Sequence, residues 1–554
     1  MMPVIFSEFR PFESLHSENG LLRISVNNGR QVIVLKETKV LIVGLDGGTF
    51  KKLKPWLANG DLPLLSKFFN GGCHANLRAF FPTLSPLEWA CFYTGKAPSK
   101  LGLFALSHVE DLKDPLIPRQ FIDSTAVHAK SLWKILNEQK IAVGVVNIPA
   151  TYPVEQLDGF IISGYMTPPS ALDYYHPKTL KNYLNGYRID SEFEYMPDKP
   201  IRREEIFEEL DSIADHRTNT VVEIMRSVKV RFLAINFKEI DVLQHIFWDD
   251  DSTLLKFMKR VDLMIGKLVD EIQPTHIFVM SDHGFHEAES EYFYVNEWLK
   301  QKNLLKPASS LTGRFWNVAY KIAIALSKRS QTIREFVMSH KESAAKYAGF
   351  QIDLNRSTVY ASQWGMFFAP QARLDPKYEQ TRKQLREELI SLKSPSGYAV
   401  FDHVYLREEL FQGEFHDRFP DLIPIPSPRF LINPNLYDKI FDVRIDRPYL
   451  KGAHKSDANG IFIVWGEGVR EGVDLGTVSI IDITPTTLSL FGYKPPSDMD
   501  GRVIEEAFSS EFLAKITRQE VSIVISGEDD KDRKTYTEQE QEQIMDQLRR
   551  LGYV

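Results

Sequence analysis

The sequence predicts an α/β fold, a mostly parallel central sheet flanked by helices and interrupted by a mainly helical insertion. Three observations predict it. Short runs of β-branched and apolar residues recur along the chain, long enough for strands and without polar alternation. That is the pattern of strands buried on both faces. Helical periodicity fills many of the gaps between them, as in a sheet whose parallel strands are joined by crossover helices. Titratable residues stand directly after several runs, where open α/β sheets gather their chemistry.

The strand candidates are KVLIVGL (39–45), IAVGVVN (141–147), GFIISGY (159–165), RFLAINF (231–237), THIFVM (275–280) and GIFIVWG (460–466). Between the fourth and fifth, residues 252–270 place Leu254, Leu255, Met258, Val261, Ile265, Leu268 and Val269 at helical spacing. Residues 291–355 break the pattern and read as a helical insertion or cap. They follow the 275–280 strand, so Phe315, Trp316, Lys321 and Arg329 are expected beside the residues at its end. A charged linker, SGEDDKDRK, then leads to a C-terminal helix opened by a Thr537/Glu540 capping box. The expected division is an N-terminal extension (1–37), a discontinuous core (38–290 and 356–505), the insertion (291–355), and the linker with its helix (506–554).

Bulk composition narrows the function. A net charge of −7 and the absence of Lys/Arg blocks with interleaved aromatics argue against a nucleic-acid duplex as partner. Cys73 and Cys91 are too few for a disulfide framework and too far apart for a CxxC site, so a reducing, cytoplasmic setting is expected. The first residues lack the apolar stretch of a signal peptide, and no run approaches the length of a transmembrane span. Composition says nothing of oligomeric state.

The strand ends carry a constellation. Asp46 follows the first run and precedes two glycines. Asp241 and His245 follow the fourth, four residues apart, and share one face if the segment is helical. Asp282 and His283 follow the fifth, and His454 precedes the sixth. Singly, each has an ordinary explanation: an Asp beside glycines is commonly a turn residue, and D-x-x-x-H is common. Jointly they form a carboxylate–imidazole set suited to Zn²⁺ or Mn²⁺. Thr83 and Ser85 stand before Pro86 and an apolar stretch with helical character. A Ser there is ordinarily a cap, yet a helix N-terminus also favours a nucleophile that works on an anion.

Taken in order, VGLDGGTF, SPLEW…YTGKAPSKLGLF, VGVVNIPATYP, IDVLQHIFW, SDHGF and IIDITPTTLSLFG…DMDGR resemble the blocks of the type I phosphodiesterase/nucleotide pyrophosphatase family, within the alkaline phosphatase superfamily. The resemblance covers roughly 38–505. It implies an alkaline-phosphatase-like core and two divalent metal ions, Zn²⁺ first and Mn²⁺ as the alternative. Asp241, His245 and His454 would hold one ion. Asp46, Asp282 and His283 would hold the other, with Ser85 as its nucleophilic ligand.

The implied activity is hydrolysis of a small-molecule phosphoester through a phosphoseryl intermediate, with a diester or pyrophosphate as substrate. Three departures qualify it. Ser85 stands where the family usually has Thr, and Leu101 where related sequences often have His. Leu103, Phe104, Ala105 and Leu106 occupy the stretch where nucleotide-cleaving members place an Asn. The last departure leaves the leaving group open, and an apolar surface around Leu101, Phe104 and Leu106 is expected to receive the second substituent. Lys96 is expected to be a solvated loop residue rather than a phosphate contact. The alternatives are a phosphomonoesterase, a phosphotransferase resembling cofactor-independent phosphoglycerate mutase, and an inactive binding or scaffold protein. A sulfatase fails because SPLEW lacks the C/S-x-P-x-R context.

Overall fold

The structure, a computed structural model, describes residues 23–27, 30–34, 37–108, 121–191, 202–308, 352–444, 449–454, 456, 459–516, 519–520 and 535–550. Nine strands form its large sheet: β1 (Val40–Leu45), β2 (Cys73–Arg78), β3 (Val143–Val146), β4 (Gly159–Ile162), β5 (Tyr175–His176), β6 (Phe232–Phe237), β7 (His276–Met280), β8 (Asn459–Gly466) and β9 (Val473–Ser479). Their order across the sheet is β9-β2-β8-β7-β1-β6-β3-β4-β5. The run β7-β1-β6-β3-β4 is parallel throughout, while β8 runs antiparallel to both of its neighbours.

All six expected strands lie in this sheet. Every residue of β1, β6 and β7 is buried, because helices cover both faces and leave no side for polar alternation. Three strands went unread, β2, β9 and the two-residue β5 at the sheet edge. In β2 the alternation of His74, Asn76 and Arg78 with buried Cys73, Ala75 and Leu77 marks a half-exposed strand. In β9 most residues are exposed or half-buried, and Gly476 adopts a positive φ of 74° within a register shift.

Five helices matter to the site: α1 (Phe50–Ala58), α2 (Ser85–Thr94), α3 (Arg203–Ser227), α4 (Glu239–Phe247) and α5 (Asp251–Ile272). The last matches the periodic segment and is capped by the Asp250 carboxylate, which accepts from Thr253 N. Two apolar clusters, one on each side of the sheet, hold these helices in place.

After β7 the chain leaves the large sheet and returns at β8. Between them, Glu291–Tyr294, Phe430–Asn433 and Phe441–Val443 form a three-stranded sheet, and strands between Val359 and Pro426 form a four-stranded one. The excursion is therefore longer than 291–355, and its start is a strand followed by the helix Val295–Gln301. The expected cap residues Phe315, Trp316, Lys321 and Arg329 lie outside the described residues.

The C-terminal segment packs on the core as helix α6 (Glu538–Arg550), with Ile544 and Leu548 fully buried. The capping box is present: Glu540 N donates to Thr537 Oγ1, and Thr537 N donates to Glu540 Oε2. No helix among the described residues is long and apolar enough to cross a membrane.

Candidate active site

Ser85 is the first residue of α2. The preceding Leu84 is the N-cap and offers no side-chain bond, so the serine hydroxyl does not cap the helix. It donates instead to Asp46 Oδ1, 3.2 Å away, and lies 3.3 Å from His283 Nε2. The sheet brings these residues together: Asp46 follows β1, His283 follows the adjacent β7, and α2 lies over their ends.

Asp241 and His245 lie on α4, directly after β6. Four residues is about one helical turn, and His245 Nε2 stands 3.6 Å from Asp241 Oδ1. His454 Nε2 approaches the same oxygen at 3.8 Å. The His454 ring stacks on His283 with centroids 3.9 Å apart, which joins the two halves of the site. Two sets of ligand atoms converge within 4.8 Å of one another, Asp241–His245–His454 and Asp46–Asp241–His283. Asp241 belongs to both. Asp282 Oδ1 accepts from Gly47 N at 3.0 Å, and its Oδ2 lies 3.3 Å from His283 Nε2.

Two features fit these residues to cations. First, each imidazole has its Nδ1 on a backbone carbonyl: His245 on Gly452 O at 2.9 Å, His283 on Gly284 O at 3.1 Å, and His454 on Thr83 O at 2.9 Å. A carbonyl only accepts, so Nδ1 carries the proton and each Nε2 presents a lone pair. Such outer bonds fix the tautomer of metal-ligating histidines. Second, Asp46, Asp241 and Asp282 are all buried. Burial, then the charges of Asp282 and Asp241, holds the Asp46 carboxyl well above the usual carboxylate range. Burial likewise pushes Asp282 up to about 7 and lowers His245. The neighbouring carboxylates of Asp46 and Asp282 resist joint ionisation without positive charge beside them.

Other residues singled out in the sequence lie elsewhere. Lys96, expected to be a solvated loop residue, is half-buried and ion-paired with Asp498, and its neighbour Lys100 pairs with Asp500. Leu101, Leu103, Phe104 and Leu106 do not form an open apolar surface; all four are buried. A short hairpin, Leu103–Phe104 with Ser107–His108, turns this stretch inward, and Phe104 packs edge-on against Phe411 and Phe419.

Sequence reasoning missed Trp89 and Asn236. Trp89 Nε1 and Asn236 Nδ2 donate to Asp46 Oδ2 at 3.2 and 2.8 Å. The signal for Asn236 was a lone amide inside the apolar run FLAINF.

The fold and this site define a member of the alkaline phosphatase superfamily. The family model described as type I phosphodiesterase/nucleotide pyrophosphatase matches residues 40–457, and the chain belongs to that family. Among solved structures, phosphonoacetate hydrolase from Sinorhizobium meliloti, in complex with phosphonoformate, superposes with a TM-score of 0.52 at 13% identity, covering 84% of this chain and 97% of that one. An inactive murine ectonucleotide pyrophosphatase/phosphodiesterase 5 in complex with AMP gives 0.49 at 16% identity, covering 85% and 100%. A search among curated proteins finds no match. Family membership supports a phosphoester hydrolase; the family is typically dependent on divalent metal, and the two residue groups above are candidate ligands.

Proposed function

We propose that the protein hydrolyses phosphodiesters or pyrophosphates with Ser85 as nucleophile, through a phosphoseryl intermediate. The observation that carries this reading is the position of Ser85 Oγ between Asp46 Oδ1 and His283 Nε2 at the start of α2. Asp241, His245 and His454 would hold one divalent cation, and Asp46, His283 and Asp282 a second. Mixed nitrogen and carboxylate donors favour Zn²⁺, with Mn²⁺ next. Bound there, the cations supply positive charge against the phosphate oxygens.

The Ser85 hydroxyl proton already points at Asp46, which orients the oxygen lone pairs away from it. Attack passes the Ser85 hydroxyl proton to Asp46 Oδ1, forms the Oγ–P bond and breaks the bond from phosphorus to the leaving oxygen, which takes up that proton. Water then cleaves the phosphoseryl ester and regenerates the hydroxyl. The positive end of α2 faces the charge that develops at phosphorus.

Diester preference rests on the family and on charge. The segment 80–104 contains no Arg, and its Lys96 and Lys100 are already paired. A monoester dianion would profit from a fixed guanidinium there. Comparing kcat/KM for a bis-aryl phosphate and the matching aryl monoester tests this. A ratio above one is expected, and a ratio clearly below one would favour the phosphomonoesterase reading. A cytoplasmic setting remains part of the proposal, supported by the two unpaired cysteines.

A further inference from the structure

The two oxygens of Asp46 have different surroundings. Oδ1 faces Ser85. Oδ2 accepts two neutral N–H donors from different elements, Trp89 on α2 and Asn236 on β6. Trp89 and Asn236 are fully buried, so neither N–H has water as an alternative partner. A carboxylate gripped at one oxygen from two directions cannot rotate about its χ2 without losing both bonds.

The chain makes room for this grip at Gly44. The parallel register of β6 on β1 sets Asn236 opposite Gly44. Asp46, one residue past the end of β1, lies two positions from Gly44 and so on the same side of the sheet, since side chains alternate along a strand. A Cβ on residue 44 would fall 2.7 Å from Asn236 Oδ1 and within clashing distance of the Trp89 ring. The missing side chain is the notch through which both donors reach Asp46. Asn236 is itself anchored, because Asn147 Nδ2 at the end of β3 donates to Asn236 O at 3.1 Å.

We propose that Trp89 and Asn236 are positioning residues, which hold Asp46 with Oδ1 toward Ser85 and fix the donor set on that side of the site. This rests on the function proposed above. Asp46 would then offer a cation one oxygen rather than two. Loss of either N–H would free the carboxylate to turn, weaken cation binding on the Ser85 side and slow attack, with substrate binding little changed.

The test uses the full chain and two variants, Trp89→Phe, which removes the N–H together with part of a fully buried ring, so that its packing cost is read separately from the thermal midpoint, and Asn236→Ala. Mn²⁺ alone is titrated while free Mn²⁺ is followed by its paramagnetic signal; kcat, KM and thermal midpoint are measured on the same preparations. Each variant is expected to weaken one Mn²⁺ site and lower kcat by roughly 10- to 100-fold, with KM within about twofold. A role confined to packing would lower the thermal midpoint and leave Mn²⁺ affinity unchanged. If Asn236→Ala does not fold, Trp89→Phe decides alone. Wild-type protein that binds Mn²⁺ and turns over, beside a folded Trp89→Phe variant with unchanged Mn²⁺ affinity and kcat, overturns this inference and leaves the proposed function standing. Wild-type protein that binds no Mn²⁺ and shows no turnover overturns both.

Discussion

Thr83 and His454 bind each other twice: Thr83 Oγ1 donates to His454 O at 2.7 Å, and His454 Nδ1 donates to Thr83 O at 2.9 Å. The pair ties the loop that delivers Ser85 to the loop that delivers His454. Thr83→Ala removes one of these bonds and leaves a buried carbonyl short of a donor, at a cost of about 1–3 kcal/mol. The second bond survives because it uses backbone at 83. A lower thermal midpoint with modest loss of kcat is therefore expected. Ser85→Thr should retain partial activity, since the family usually carries Thr there. Parallel melts and steady-state kinetics check both.

Glu88 lies one turn after Ser85, fully buried, with both carboxyl oxygens on Phe80 N at 3.0 and 3.1 Å. It fixes the start of the 80–84 loop. Burial holds its carboxyl well above the usual range, so the neutral form is accessible and an amide is a fair replacement. Glu88→Gln should keep kcat within about twofold and near-native stability, whereas Glu88→Ala should lose about 1–3 kcal/mol and much of the activity. Equal behaviour of the two variants in denaturant titrations and assays would refute the role.

His276, at the first position of β7, is buried and donates from Nε2 to Glu467 O at 2.8 Å. Burial lowers its pKa from about 6.5 to about 4. The unfolded chain therefore binds more protons between those values. Stability from this group is fully present above pH 6.5 and is lost as pH falls toward 4, by up to about 3 kcal/mol. Unfolding free energies measured at pH 7.5 and pH 5 should fall less with acid in His276→Gln than in the wild type. Parallel slopes would show that His276 does not contribute.

The C-terminal segment should behave as part of the core. Tyr536 is buried, its hydroxyl donates to Met166 O, and Thr535 Oγ1 donates to Asp123 Oδ2 at 2.8 Å. Gln547 Nε2 reaches Asp190, which pairs with buried Lys238 at the foot of α4. Tyr536→Phe leaves the Met166 carbonyl without this donor and should cost about 1–3 kcal/mol. Deleting 535–554 should lower the thermal midpoint further, by exposing apolar core beneath Ile544 and Leu548. A deletion variant that melts with the wild type would contradict this.

Much of the site was legible because its residues follow strands that read clearly. Asp46, Asp282 and His283 each sit at the end of a continuous apolar run, and the Asp241–His245 pair needed only a helix after another. Other features depend on which strands become neighbours. The reciprocal bonds of Thr83 and His454 span 371 positions. The approach of Asn236 to Asp46 is set by the pairing of β6 with β1, and spacing along the chain carries no trace of it. The inward turn of Leu101–Leu106 was misread for a related reason. An apolar loop reads alike whether it lines a cleft or packs in the core, and the partners that decide it, Phe411 and Phe419, lie some 300 residues away.

The central claim is that Ser85 attacks phosphorus in a site whose cations are held by other side chains. The most direct measurement compares wild type and Ser85→Ala on a bis-aryl phosphate, with bound divalent metal determined on the same samples. The account predicts that Ser85→Ala folds, keeps most of its metal and loses roughly three orders of magnitude or more in kcat. A metal-loaded Ser85→Ala protein that keeps most of the wild-type turnover would contradict it.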